Sequence, residues 1–152
     1  MGAADVNQHA FLPPGTPGAL TDAGELDRYE ASVQDFLAGT LPEDRFLSIR
    51  LQQGCYGQRQ AGVHMIRVKA PGGRLNADQL EALGDVLATW SRTDHAHVTT
   101  RESIQLHYVP TADTPKAMRR LALAGLTTRE ACNNTVRNIT ACSLAGGCSR
   151  EH

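Results

Sequence analysis

The sequence carries almost no net charge: 15 lysines and arginines stand against 16 aspartates and glutamates, a formal charge of -1. It therefore has no bulk basic field, and no nucleic-acid partner is expected on electrostatic grounds. No apolar run approaches the ~20 residues needed to cross a bilayer, so no membrane partner is expected either. Residues 1–17 lack a basic stretch followed by an apolar core, which excludes a secretory signal there and points to the cytoplasm. In that compartment the four cysteines stay thiols unless a metal takes them. No two of them form C-x-x-C, which argues against a zinc ribbon or a thioredoxin-like site. Cys142 and Cys148 make a C-x5-C pair, but a cubane cluster wants four thiolates, and Cys55 and Cys132 are poorly spaced to complete it. Ordinary thiols are the expectation. His64, His95, His97 and His107 are not at helical i, i+4 spacing, so no zinc site is read from them.

What is present fits one soluble globular domain, or part of a larger protein: 152 residues, 41% hydrophobic and 20% charged. Residues 1–24 are rich in Pro, Gly and Ala and read as an extended arm. Leu26, Tyr29, Val33, Phe36 and Leu37 mark one face of a short helix over 25–38, with Asp22 or Thr21 as its cap and Gly39 as its end. Residues 46–51 are expected as a short strand. Residues 52–62, polar and rich in glycine and glutamine, show no periodicity and read as a loop suited to wrapping a polar cofactor. Residues 63–69 alternate sufficiently for a strand, with Val63, Met65 and Val68 expected on one side.

Asn76 and Gln79 form a capping box before the stripe Leu80, Leu83, Val86, Leu87 and Trp90, a clear helix. Strands over 98–100 and 104–109 follow. Thr114 and Pro115 then open a second helix that Gly125 closes. The β-α-β-β-α order implies an α+β fold: a ferredoxin-like half-domain with two helices on one face of a mainly antiparallel sheet, lacking its last strand. An irregular N-terminal arm and a polar C-terminal segment flank it. The expected divisions are 1–44 (arm and short helix), 45–125 (half-domain) and 126–152 (a donor-rich segment of arginines, asparagines and hydroxyls).

The richest chemistry lies between the two central strands, in His97-Val98-Thr99-Thr100-Arg101-Glu102-Ser103-Ile104-Gln105-Leu106-His107-Tyr108. A guanidinium at a strand end is a fixed fork of donors matched to oxyanions. Hydroxyls, an amide and imidazoles surround Arg101, which makes this an anion-site candidate.

The ordered set Gln53-Gly54-Cys55-Tyr56-Gly57-Gln58-Arg59-Gln60, His64-Met65-Ile66-Arg67-Val68-Lys69 with Pro71-Gly72-Gly73, Thr99-Thr100-Arg101, Gln105-Leu106-His107, Gly125-Leu126-Thr127-Thr128-Arg129-Glu130-Ala131 and Thr135-Val136-Arg137-Asn138 resembles the N-terminal part of the sirohaem- and iron–sulfur-containing sulfite and nitrite reductases. The resemblance covers roughly residues 45–150. It implies six-electron reduction of sulfite to sulfide or nitrite to ammonia, with ferredoxin or a reductase subunit as electron donor and a 4Fe-4S cluster feeding sirohaem. It implies that Arg101 touches the substrate anion and the macrocycle, and that Arg137 meets sirohaem carboxylates. Thr100, Gln105, Thr128, Arg129 and Asn138 lie in matching cofactor-facing segments, and 126–152 would begin the sirohaem-binding domain. The family's cluster cysteines, two lysines and second anion-binding arginine match nothing in these residues. The expectation is thus an N-terminal portion that is inactive alone and needs the remainder of its parent reductase. The alternatives are a non-catalytic ferredoxin-like binding module and a precorrin-3B synthase-like relative.

Overall fold

A computed structural model of the chain describes residues 22–142, 144 and 147. The Pro-rich arm, Thr21 and Cys148 lie outside the described residues. Helix α1 (Ala23–Leu37) starts where the Asp22 carboxylate accepts the Gly24 N–H at 3.1 Å. It ends in a Schellman motif. The Gly39 N–H reaches Phe36 O at 3.0 Å and the Thr40 N–H reaches Asp35 O at 2.9 Å, with Gly39 at φ +76°.

Residues 46–51 are not a strand. They lie inside helix α2 (Glu43–Gln52), which Pro42 opens and Glu43 and Asp44 favour electrostatically at its N-terminus. The apolar residues that mattered are Phe46 and Ile49, at helical spacing. Phe46 stacks flat on Phe36 at 4.2 Å and meets the His64 ring edge-on at 6.4 Å. The glutamine-rich stretch is not all loop either. Gly54, at φ +75°, turns α2 directly into strand β1 (Cys55–Gly57).

Strand β1 pairs antiparallel with β2 (Val63–Val68), and β2 pairs antiparallel with β4 (Ile104–Pro110), whose other neighbour is the antiparallel β3 (Ala96–Val98). The order β1-β2-β4-β3 makes β2 and β3 parallel, with β4 between them. That is the split β-α-β arrangement of a ferredoxin-like fold. The edge where a ferredoxin-like fold carries its last strand is taken here by β1, from the N-terminal side.

Helix α3 (Ala77–Thr89) carries the expected capping box: Gln79 N–H to Asn76 Oδ1 at 2.8 Å, and Asn76 N–H to Gln79 Oε1 at 3.1 Å. Leu80, counted in its apolar stripe, is exposed. Helix α4 (Thr114–Leu123) follows with Pro115 in its first turn and closes at Gly125.

One core lies between the sheet and the helices. Leu26, Tyr29 and Val33 of α1 enter it almost fully buried, beside Ile66, Val68, Leu83, Val86, Leu106 and Leu121. Burying such side chains is worth about 1.5–3 kcal/mol each, so α1 belongs to the same packed unit as the sheet. The Tyr29 hydroxyl and Thr114 Oγ1, 3.0 Å apart, join α1 to the start of α4.

The strand-63–69 alternation resolves differently from the expectation. Ile66 and Val68 face the core, whereas Met65 and Arg67 face the opposite side of the sheet, opposite Tyr56 and Gln105 respectively. The pairing slips between His64 and Ile66: His107 and Tyr108 of β4 both stand against Met65. This is a β-bulge, with Tyr108 at φ +56°.

Candidate functional site

The expected strand over 98–100 stops at Val98, because Thr99 and Thr100 enter a tight turn instead. The Glu102 N–H bonds Thr99 O at 3.0 Å and the Thr99 N–H bonds Ser103 O at 2.9 Å. Glu102 takes the left-handed conformation at φ +59°, the usual form of a three-residue hairpin loop. Thr99 Oγ1 caps the loop by accepting the Ser103 N–H at 3.1 Å. Arg101 is thereby held at the exposed apex.

The segment after α4 has no helix or strand among its described residues, as its lack of periodicity predicted, yet it is fastened across the sheet. Thr127 O accepts the Lys69 N–H at 2.9 Å, and the Asn133 N–H bonds the Tyr56 hydroxyl at 3.2 Å. Lys69 Nζ donates to Val136 O at 3.0 Å, and the Gly72 N–H to Ile139 O at 2.8 Å. Asn138 is the central staple. Its Nδ2 donates to Arg101 O at 2.9 Å, Glu102 O at 3.1 Å and Ala70 O at 3.2 Å. The Glu102 carboxylate accepts the Ala141 N–H at 3.1 Å.

These constraints build a cleft of about 170 Å³ between the hairpin, β2 and the C-terminal segment. It unites five of the expected site residues: Thr100, Arg101, Gln105, Arg137 and Asn138. Thr99 and Ser103 contribute further hydroxyls. Arg67, which sequence reasoning did not single out, lines the same cleft. The signal was there: a charged residue between Ile66 and Val68, both destined for the core, must emerge on the sheet's other face. Gln105 sits opposite Arg67 in the ladder.

The cleft is electrostatically one-sided. No aspartate or glutamate lines it. Among the described residues, no carboxylate lies within 4.0 Å of Arg67, Arg101 or Arg137, whereas Arg28, Arg50, Arg119, Arg120 and Arg129 each have such a partner. Arg67 Nε and Asn138 Oδ1 are buried without any partner. Arg67 stands 5.6 Å from the Tyr56 ring centre and reaches Ala131 O only at 3.5 Å. Buried polar atoms are rarely left unsatisfied without a functional reason.

Two expected site residues lie elsewhere. Thr128 is buried, its carbonyl pressed against Gly54. Arg129 is exposed and pairs with Glu25 at 3.5 Å, beside α1 and α2. The tight turn at Gly54 and the local ion pair draw both away from the cleft.

Among the described residues, Cys55 and Cys132 are buried free thiols and Cys142 is an exposed one. Burial pushes the Cys55 thiol up to about 12. Burial likewise raises Cys132 to about 12, although Arg67 and Arg137 favour its thiolate. Among the described residues, no group of three or more His, Cys, Asp or Glu is arranged to hold a metal ion, and no helix is long and apolar enough to cross a membrane.

Comparison with known proteins adds a family. The model of the nitrite/sulfite reductase ferredoxin-like half domain matches residues 56–124. "Sulfite reductase [ferredoxin] 2" of Mycolicibacterium paratuberculosis is 39% identical over 87 residues, covering 57% of this chain and 16% of the relative. "Ferredoxin--nitrite reductase" of Leptolyngbya laminosa is 35% identical over 85 residues, covering 56% and 17%. The structure of Mycobacterium tuberculosis NirA protein superposes with a TM-score of 0.68 at 27% identity, covering 80% of this chain and 26% of that one. The chain thus spans about a sixth of the curated relatives it matches and about a quarter of the structural one.

Proposed function

We propose that this chain, whose residues 56–124 match the nitrite/sulfite reductase ferredoxin-like half domain, supplies one wall of the anion and sirohaem site of a sulfite or nitrite reductase. The observation that carries this reading is the set of three arginines without carboxylate partners, Arg67, Arg101 and Arg137, around a cleft that holds no acid. Residues 126–152 are then the beginning of the sirohaem-binding part, already docked on the half-domain through residues 127–141.

The donor set suits this ligand. Sirohaem is ringed with carboxylates, and charge-assisted arginine–carboxylate bonds are the strong ones. Ligand pockets usually enclose some 300–1,000 Å³, so a cleft of about 170 Å³ fits one carboxylate-bearing edge or one small oxyanion, not a whole tetrapyrrole. Arg67, Arg137 and Gln105 would hold such an edge, while Arg101 reaches from the hairpin apex toward the substrate anion. Sirohaem, when bound with its 4Fe-4S partner, supplies the electron transfer. The arginines stabilise negative charge on the anion as it is reduced and protonated. Hydroxyls of Thr99, Thr100 and Ser103 supply neutral donors beside them. Ferredoxin, the donor in the relatives' names, is the proposed electron source.

The test is reduction of sulfite and of nitrite by the protein expressed from its complete gene, driven by a chemical reductant. Arg101→Ala should cost at least a hundredfold in kcat/KM on the preferred anion, as does loss of a preorganised donor to developing charge. Unchanged kcat/KM would overturn the reading.

A further inference from the structure

The stretch Gln58-Arg59-Gln60 reads from the sequence as a loop, and the arginine cleft makes no use of it. The structure gives Gln58 two specific bonds. Its Oε1 accepts the Tyr108 N–H at 2.6 Å, and its Nε2 lies 3.3 Å from His107 Nδ1. The first bond settles the second. A backbone N–H can only donate, so the atom facing Tyr108 must be the amide oxygen. The amide nitrogen therefore faces His107 and donates to Nδ1. Nδ1 must then be the bare nitrogen of the ring, and the proton sits on Nε2. Burial and the neighbouring His97 and His95 hold the His107 pKa below its ordinary value, which favours the neutral ring.

The consequence is a donor with no acceptor. His107 Nε2 is buried and without a hydrogen-bond partner. The β-bulge explains how the ring reaches this position. His107 and Tyr108 share one place in the ladder, which frees the Tyr108 N–H from β2 and turns it to Gln58. Such bulges characteristically re-aim a side chain next to a site. Gln105, in the arginine cleft, lies two residues away on the same face of β4.

We propose that Gln58 is a positioning residue that locks the β4 bulge and fixes His107 as a neutral Nε2–H donor for an anionic oxygen of the ligand taken by the neighbouring arginines. The ligand's identity rests on the reading under Proposed function; the tautomer does not.

The experiment is a long-range 1H–15N correlation spectrum of the full chain at about pH 8, where an imidazole of ordinary or lowered pKa is neutral. The wild type should show His107 Nδ1 at the position of an unprotonated nitrogen and Nε2 at that of a protonated one. Gln58→Glu keeps an acceptor for Tyr108 N–H but replaces the donor to His107 with a second acceptor, so it should move the proton to Nδ1. In the protein expressed from its complete gene, the same variant should weaken sirohaem binding by about tenfold or more, the worth of one hydrogen bond to a charged group. A wild-type Nδ1–H or mixed tautomer, or a Gln58→Glu spectrum with the proton still on Nε2, overturns the lock. An inverted tautomer with undiminished sirohaem affinity overturns the donor role. Absence of sirohaem binding by the wild type would sink the functional reading above, while the spectrum still decides the lock.

Discussion

Replacing Gly54 with alanine tests how the cleft is assembled, because Gly54 sits where four pieces of chain meet. It ends α2 at φ +75°, its carbonyl accepts the Arg67 N–H at 2.9 Å, and it adjoins β1. A Cβ there would stand 2.2 Å from Thr128 O and 3.1 Å from Arg67 O. Both are backbone atoms, so no side chain can swing aside. The left-handed conformation alone costs an L-residue roughly 1–2 kcal/mol. Forcing carbon into a packed site adds about 1–3 kcal/mol, for a total of about 2–5 kcal/mol. Gly39 is the control. It has nearly the same φ, +76°, but a Cβ at that position would meet nothing within 4 Å, so Gly39→Ala should show the conformational cost alone. Urea denaturation of the two variants measures the difference. Amide exchange then locates it: in Gly54→Ala, the Lys69 N–H held by Thr127 should lose protection, because residue 128 must move away. Equal destabilisation of both variants, with Lys69 protection intact, would refute the docking of residues 127–141 as the device that builds the cleft.

Other predictions follow from individual residues. Burial lowers the His64 pKa to about 4, helped by Arg50. The unfolded chain, with an ordinary histidine near 6.5, then binds the extra proton first. Stability is fully present above pH ~6.5 and falls as pH drops toward ~4, by about 2 kcal/mol at pH ~5. His64→Gln should flatten that part of the stability–pH curve measured by denaturation, and an unchanged slope would contradict it. Asn138→Ala removes three bonds to carbonyls and should cost about 1–3 kcal/mol, with faster exchange of the Glu102 and Ser103 amides than in the wild type. Cys142 is exposed, whereas Cys55 and Cys132 are buried with pKa values raised to about 12. Alkylation in the folded state, read by mass spectrometry, should therefore modify Cys142 far faster than either buried thiol.

Much of this was legible in the residues, for physical reasons that can be named. Asn76 with Gln79, and Thr114 with Pro115, are local signals that need no tertiary partner, and both helices begin where those residues say. The run at 46–51 misled because apolar density was weighed without its flanks; Pro42-Glu43-Asp44 already announced a helix start. Strand β1 was invisible because its three residues are held by pairing with β2 rather than by any pattern of their own. Arg101 and Arg137 were marked by motif, and Arg67 by the alternation of β2 once its core face is known. Thr128 and Arg129 were grouped with the site through the family resemblance of their segment. A buried carbonyl against Gly54 and an ion pair to Glu25 direct them elsewhere, and such long-range contacts leave no local trace. The bulge at His107 and Tyr108, which gives Gln58 its role, is likewise a property of two strands together.

The central claim is that Arg67, Arg101 and Arg137 form a cleft for an anionic ligand, and the direct measurement is an equilibrium titration of the protein expressed from its complete gene with sirohaem, followed by absorbance. The account predicts that the wild type binds, that each single Arg→Gln variant binds more weakly, with affinity falling as salt rises, and that the triple variant loses the site. A wild type that does not bind, or a triple variant that binds as the wild type does, would contradict it.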